Sequence, residues 1–212
     1  MTLPPTIVFD LDGTLVDSLE DIVLSFQHSF TVYSLPVPEA RAIKDEIGKP
    51  LEDMFAVFAP AHVEALSRAY RSHYPEHFTD HSSLYPGVRE LLKELRRRGY
   101  RSAVATTKRS DMARLLAAAV GLDKLVDHLQ GTDDIPHKPA PDVVYQAVAG
   151  AGGEGLWMVG DTVMDILAGK AAGLRTYAVT WGTHDEVLLK SARPDILAPD
   201  LGRLLESLPP LD

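Results

Sequence analysis

The stretch FDLDGTLVDS, Phe9–Ser18, follows the apolar run Thr6, Ile7, Val8 and places two carboxylates, Asp10 and Asp12, one residue apart at the end of an expected buried strand. Desolvating even one ionised acid is costly, so something nearby must compensate the charge. Successive strand residues point to opposite faces, which puts Asp10 and Asp12 on the same side. Gly13 lets the chain turn away steeply without a Cβ at that point. What these acids are for depends on what the strand belongs to.

Further apolar runs recur at Ser102–Ala105, Leu156–Val159, Thr176–Val179 and, more weakly, Asp195–Ala198, with amphipathic helical stretches between them. This alternation predicts an α/β fold, a parallel sheet with helices on both faces. Ser18 with Asp21 reads as a capping pair, Gly99 and Gly173 as residues just past helix ends, and Pro141 with Asp142 as a helix start. Residues 17–82 break the pattern: LEDIVLSFQHSF, LEDMFAVFA and AHVEALSRAYRSHY are all helical in period. The chain is therefore expected to fold as one α/β core, residues 1–16 and 83–212, with an all-helical insertion, residues 17–82, entered after Leu15 and left at LYPGV, Leu84–Val88. The glycine-rich GAGGEG, Gly150–Gly155, precedes a strand, whereas phosphate loops follow one, so it reads as a connection.

Composition narrows the function. The 212 residues are 45% hydrophobic and 24% charged, enough for a full core. A formal charge of -9 argues against a sequence-independent grip on nucleic acid or an anionic membrane. Without cysteine there is no disulfide, thiolate catalysis or Cys-ligated zinc, which suits a reducing cytoplasm. No window approaches ~18 apolar residues, and the N-terminal segment lacks the pattern of a signal peptide.

In a parallel α/β sheet the functional crevice lies at the carboxyl ends of the strands. Here the first strand ends in DLDGT, the second in Thr106, Thr107 and Lys108, and a third in GDTVMD with Asp161 and Asp165, while HKPAPD places Lys138 in a loop before a helix. Each patch alone has a structural explanation as a turn or strand end. In this order, DxDGT, T, KP and GDxxxD together closely resemble the motifs of the haloacid dehalogenase superfamily, in its phosphatase branch.

That resemblance implies a Rossmann-like core with a helical cap inserted after the first strand. It makes Asp10 the nucleophile and Asp12 the acid and base, gives Thr106 and Lys138 to phosphate binding, and assigns Mg²⁺ to Asp10, the Asp12 carbonyl and Asp161, with Asp165 in support. Elementary chemistry agrees. A carboxylate and a phosphate dianion repel, so charge must be neutralised first. Mg²⁺ prefers oxygen ligands and keeps waters, so two carboxylates and a carbonyl suffice to hold it. Asp161 and Asp165, four residues apart at a helix start, are expected to share a face. Lys138 adds positive charge, and the Thr106 hydroxyl can donate to phosphoryl oxygens. Many relatives have Asn where this chain has Thr107, whose hydroxyl can still serve substrate binding, as can the open backbone at Gly13. Asp12, absent from the founding dehalogenases, argues for phosphate esters.

Within the superfamily the chain resembles phosphoglycolate phosphatases in VDS after the first motif, EIGKPLEDMF in the cap, LYPGV, and TWGTH at Thr180–His184. The implied partner is a small phosphorylated metabolite, best 2-phosphoglycolate, with Lys49 of the cap meeting its carboxylate, and the protein a monomer or homodimer. A cap lysine also forms the Schiff base of phosphonoacetaldehyde hydrolases, and β-phosphoglucomutase is a further relative. A receiver-type phosphorylation switch is the non-enzymatic alternative, but it lacks the second acid of DxDGT and the helical insertion. His73, His77 and His81 are spaced by four, yet Pro75 is expected to interrupt their helix, and they read as surface residues and not as a zinc site. Trp157 and Trp181 read as packing residues.

Overall fold

The structure is a computed structural model and describes residues 3–211. Strand β1 (Pro5–Phe9) leads into a two-residue strand β2 (Val16–Asp17), followed by helices α1 (Leu19–Val32), α2 (Ala40–Lys44), α3 (Leu51–Phe58) and α4 (Val63–His77). Strand β3 (Ser83–Leu84) returns antiparallel against β2. There follow α5 (Val88–Arg97), β4 (Arg101–Ala105), α6 (Ser110–Ala119), β5 (His128–Gln130), α7 (Asp142–Ala151), β6 (Glu154–Gly160), α8 (Val163–Ala171), β7 (Arg175–Val179), α9 (Glu186–Ser191), β8 (Ile196–Ala198) and α10 (Gly202–Ser207).

Six strands form one parallel sheet in the order β5-β4-β1-β6-β7-β8. β1 is central, and the strand order reverses direction around it, which opens a crevice at its carboxyl end. The period of two along β1 sorts its side chains. Ile7 and Phe9 pack with Leu91, Leu92 and Leu95 of α5, Leu116 of α6 and Leu204 of α10. Val8 packs on the other face with Val143, Val144 and Ala147 of α7 and Ala168 of α8. The four helices between β2 and β3 enclose their own interior, centred on Phe26, Phe30, Phe55, Leu66 and Tyr70, with the Phe26 and Phe55 rings stacked at 4.1 Å.

The structure departs from the sequence expectations at identifiable points. β5 is a sixth strand in the sheet; its three residues, His128, Leu129 and Gln130, are too short and polar to signal themselves. Ser18 and Asp21 do not form a capping pair, because both side chains are drawn elsewhere: Ser18 Oγ donates to Asp12, and Asp21 accepts from His81 and Ser82. Pro75 does not interrupt its helix, for α4 runs through it to His77. A proline removes one donor and crowds one turn, which a helix end tolerates better than its middle. Gly99 and Gly173 sit past α5 and α8 at φ +88° and +77°, as expected of helix-ending glycines.

Candidate active site

The site is assembled where β1, β4 and β6 end. Asp10 follows β1 and its backbone N–H donates to the Val159 carbonyl of β6 at 2.8 Å, which fixes it at the sheet edge. Lys138 arrives from the loop before α7, 5% exposed, and commits all three ammonium protons: to Asp10 Oδ1 at 2.6 Å, Asp165 Oδ1 at 2.6 Å and the Ala105 carbonyl at 3.0 Å. Burial alone would lower the lysine's affinity for its proton; the two carboxylates outweigh it and raise it.

Asp161 is fully buried at the end of β6. Its Oδ1 accepts from Thr14 Oγ1 at 2.7 Å and its Oδ2 from the Thr183 backbone N–H at 2.7 Å. The chain passes so close to it that only glycine fits at two positions. A Cβ on Gly13, which holds φ +83°, would lie 2.4 Å from Asp161 Oδ2, and one on Gly182 would lie 2.3 Å from the same atom. Asp165 is the third residue of α8, and with Thr162 it forms a reciprocal capping box: Asp165 Oδ2 accepts from the Thr162 N–H at 2.9 Å, while the Thr162 hydroxyl serves the Asp165 N–H. Asp161 lies before the α8 N-cap, so it and Asp165 approach each other through this turn and not, as the spacing suggested, as i and i+4 on one helix.

Asp10, Asp161 and Asp165 each bring a carboxylate oxygen within 4.8 Å of the others. Burial, then mutual repulsion, pushes the Asp161 carboxyl up to about 6, and burial raises Asp10 well above the usual carboxylate range despite Lys138. Three buried acids face one ammonium. The donor set is all oxygen, compact and short of positive charge, which fits a hard divalent cation such as Mg²⁺.

Asp12 lies beside this cluster. Its Oδ1 accepts from Ser18 Oγ at 2.5 Å, and Lys108 Nζ stands 3.3 Å from its Oδ2. Its carboxylate is thus separate from the Asp10–Lys138 pair. Thr106, 2% exposed at the end of β4, accepts from the Lys108 N–H at 3.2 Å, which leaves its hydroxyl proton available to donate. The Thr107 hydroxyl donates to the Gly48 carbonyl of the helical insertion at 3.1 Å. The neighbouring Lys49 is ion-paired with Glu46 and is 39% exposed, so in this conformation its ammonium meets an acid of its own loop. His73 and His77 stack at 4.1 Å, and His28 stacks on His73 at 3.9 Å; the only set of metal-ligating side chains gathered among the described residues is the aspartate cluster.

Sequence alone does not single out Ser18, Thr14, Gly182 and Thr183. Thr14 is the last letter of DxDGT, and Gly182 with Thr183 lies inside TWGTH, but a supporting role leaves no signature beyond residues that small or hydroxylic loops also use.

A family model described as haloacid dehalogenase-like hydrolase matches residues 7–179. A probable phosphatase, IndB, of Dickeya dadantii is 37% identical over 205 residues, covering 92% of this chain and 89% of that one. The pyrophosphatase PpaX of Halalkalibacterium halodurans is 36% identical over 207 residues, 95% of each chain. Among solved structures, that of a predicted phosphoglycolate phosphatase from Haemophilus somnus superposes with a TM-score of 0.86 at 29% identity, covering 97% of this chain and 98% of that one. The chain belongs to the haloacid dehalogenase-like hydrolase family. Membership of a hydrolase family sets aside the receiver-type switch.

Proposed function

We propose that this protein is a Mg²⁺-dependent phosphatase of small phosphorylated metabolites that works through an aspartyl-phosphate on Asp10. The observation that carries the reading is the buried cluster of Asp10, Asp161, Asp165 and Lys138 at the carboxyl edge of the sheet, a concentration of charge that packing alone would disfavour. Asp10, the Asp12 carbonyl and Asp161 would hold Mg²⁺, which when bound would supply charge neutralisation for the phosphoryl group. Lys138 holds Asp10 in place and presents positive charge to the same group, and Thr106 donates to one of its oxygens. An Asp10 oxygen forms a bond to phosphorus as the bond to the leaving oxygen breaks, and Asp12, which enters this step protonated, gives that oxygen its proton. Asp12, now a carboxylate, takes a proton from water as the water oxygen attacks phosphorus and frees Asp10. Asp165 acts by fixing Lys138 and the turn that carries Asp161.

The substrate best supported is 2-phosphoglycolate, on the resemblance of the motif surroundings and the likeness to the predicted phosphoglycolate phosphatase of Haemophilus somnus, with the helical insertion as a cap over the leaving group. Pyrophosphate is the second reading, favoured by the relative named pyrophosphatase that matches over 95% of the chain. Both substrates carry a second anion beside the phosphoryl group, for which Lys49 is the cation on offer once it leaves Glu46. We place the protein in the cytoplasm as a monomer or homodimer that binds neither nucleic acid nor membrane; among the described residues no helix is long and apolar enough to cross a bilayer. The test is phosphate release from 2-phosphoglycolate, pyrophosphate, sugar phosphates, nucleotides and phosphonoacetaldehyde, with and without chelator. Hydrolysis of one small ester, lost on chelation, is expected; inertness towards all of them, or full turnover in excess chelator, overturns the reading.

A further inference from the structure

The loop after β4 carries three consecutive polar residues that reach three different places. Thr106 stays at the sheet edge, Thr107 holds the Gly48 carbonyl, and Lys108 donates to Tyr74 Oη of α4 at 2.9 Å while its Nζ stands 3.3 Å from Asp12 Oδ2. The Lys108 side chain is 10% exposed and that of Asp12 11%, so this pair is largely shielded from solvent. The other Asp12 oxygen is held by Ser18, at the neck where the chain enters the insertion. Each oxygen of one carboxylate is therefore fixed, one by the neck and one by a cation anchored on the insertion. Burial keeps the Tyr74 phenol well above its ordinary ionisation range, so it meets Lys108 as a neutral acceptor, and its ring stacks on Tyr70 at 5.0 Å.

We propose that Lys108 is a positioning residue that aims Asp12 at the leaving oxygen and does so through its anchor on Tyr74, so that seating of the helical insertion and proton transfer at the sheet edge are coupled. With Lys108 removed, the Ser18 hydrogen bond alone leaves the Asp12 carboxylate free to turn about that contact. With Tyr74 Oη removed, Lys108 loses its hydrogen bond to the insertion and keeps the face of the Tyr74 ring, 4.6 Å from its Nζ, and Asp12. The inference rests on Asp12 being the acid, and the experiment separates the two.

An alkyl phosphate has a poor leaving group that needs a proton as its bond to phosphorus breaks, whereas p-nitrophenolate leaves without one. The phosphoryl group is the same in both, so any role of Lys108 in binding it would affect both esters alike. The chain has no cysteine of its own. Lys108→Cys therefore creates a single thiol, which 2-bromoethylamine converts to a side chain ending in an ammonium again. Lys108→Cys should lose ~10- to 100-fold more kcat/KM towards propyl phosphate than towards p-nitrophenyl phosphate, and alkylation should recover most of the difference. Tyr74→Phe, which keeps the ring packing, should show the same preference at a few-fold level. Equal losses for the two esters in Lys108→Cys, or selectivity that alkylation leaves unchanged, overturns the proposal. Asp12→Asn is measured beside them: if it shows no dependence on leaving group, the acid role of Asp12 fails and the Lys108 proposal with it; if it does and Lys108→Cys does not, Lys108 alone is misassigned.

Discussion

The sheet edge and the helical insertion handle charge in opposite ways. At the edge, four charged side chains are buried and tied across the chain: Lys138 to Asp10 over 128 residues, Thr14 to Asp161 over 147. In the insertion half of the ion pairs are one turn apart, as in Lys49–Glu46 and Arg68–Glu64, and every pair has at least one partly exposed partner, while the interior is aromatic. An exposed pair one turn away contributes little and serves many sequences equally well. A buried cluster of acids destabilises the fold unless something else requires it. The contrast teaches where chemistry resides in this molecule: in the region whose charges stability does not explain.

The largest test of that contrast removes the charge at its centre. Asp10→Asn should abolish turnover, a loss of at least ~10³-fold, since the neighbouring Asp12, Asp161 and Asp165 carboxylates are each held by partners of their own. Its Tm should stay level or rise, because burial and the neighbouring acids already hold the Asp10 carboxyl above its ordinary range and the amide relieves that repulsion. A marked fall in Tm would mean that Asp10 serves the fold after all. Excess chelator should silence the wild-type enzyme to a similar degree, and added Mg²⁺ should raise its Tm by binding only the folded state. A Tm indifferent to Mg²⁺ would break the assignment of the aspartate cluster to a cation.

Next in size is Asp12→Asn. It leaves the aspartate cluster intact, so substrate should still bind, but acid and base assistance worth ~10² to 10⁴ in kcat should go. An unchanged kcat towards an alkyl ester removes Asp12 from the chemistry.

These residues are legible in the sequence for the same reason that they are testable. Acids at the ends of apolar strands contradict their surroundings, so Asp10, Asp12 and Asp161 stand out without any coordinates, while Lys138, in a loop, is singled out by the resemblance of the motifs taken together. The sheet is legible from its short apolar runs, except at β5, where His128, Leu129 and Gln130 carry neither length nor apolar pattern. What supports the acids is not legible. Ser18 looks like a helix cap because a serine before an amphipathic run usually is one; only the fold brings its hydroxyl to Asp12. Lys49 and Thr107 read as substrate contacts from their neighbours in sequence, and the structure gives both of them partners within the protein.

Gly182→Ala sharpens this point, since it tests a support that the sequence does not announce. The added Cβ would fall 2.3 Å from Asp161 Oδ2, in a carboxylate already fixed by Thr14 and the Thr183 N–H, so Asp161 must shift. Disturbing groups that orient a metal ligand typically weakens metal affinity ~10- to 100-fold, and the Mg²⁺ concentration for half activation should rise accordingly while the circular dichroism spectrum is unchanged. An unaltered Mg²⁺ requirement would show that Asp161 needs no such support.

The smallest expected effect lies at the neck between the two regions. Asp21 of α1 is buried and accepts from the His81 N–H at 3.1 Å, from His81 Nδ1 at 2.7 Å and from Ser82 Oγ at 2.6 Å, so that one acid ties the outgoing chain to the returning one. The hydrogen bond to Asp21 raises the His81 imidazole above its ordinary 6.5 against the opposing effect of desolvation, and the charges of Glu20, Asp21 and Asp80 add smaller contributions. A raised histidine stabilises the fold fully below its unfolded value, and that contribution is lost as pH rises through the folded one. His81→Ala should therefore lower Tm more at roughly pH 5.5 than at roughly pH 9. The difference should be small, because the imidazole is half exposed and the Ser82 and backbone bonds to Asp21 persist in the variant. Equal losses at both pH values would mean that His81 holds the neck by shape alone, and the insertion would then be joined to the sheet edge without any charge of its own.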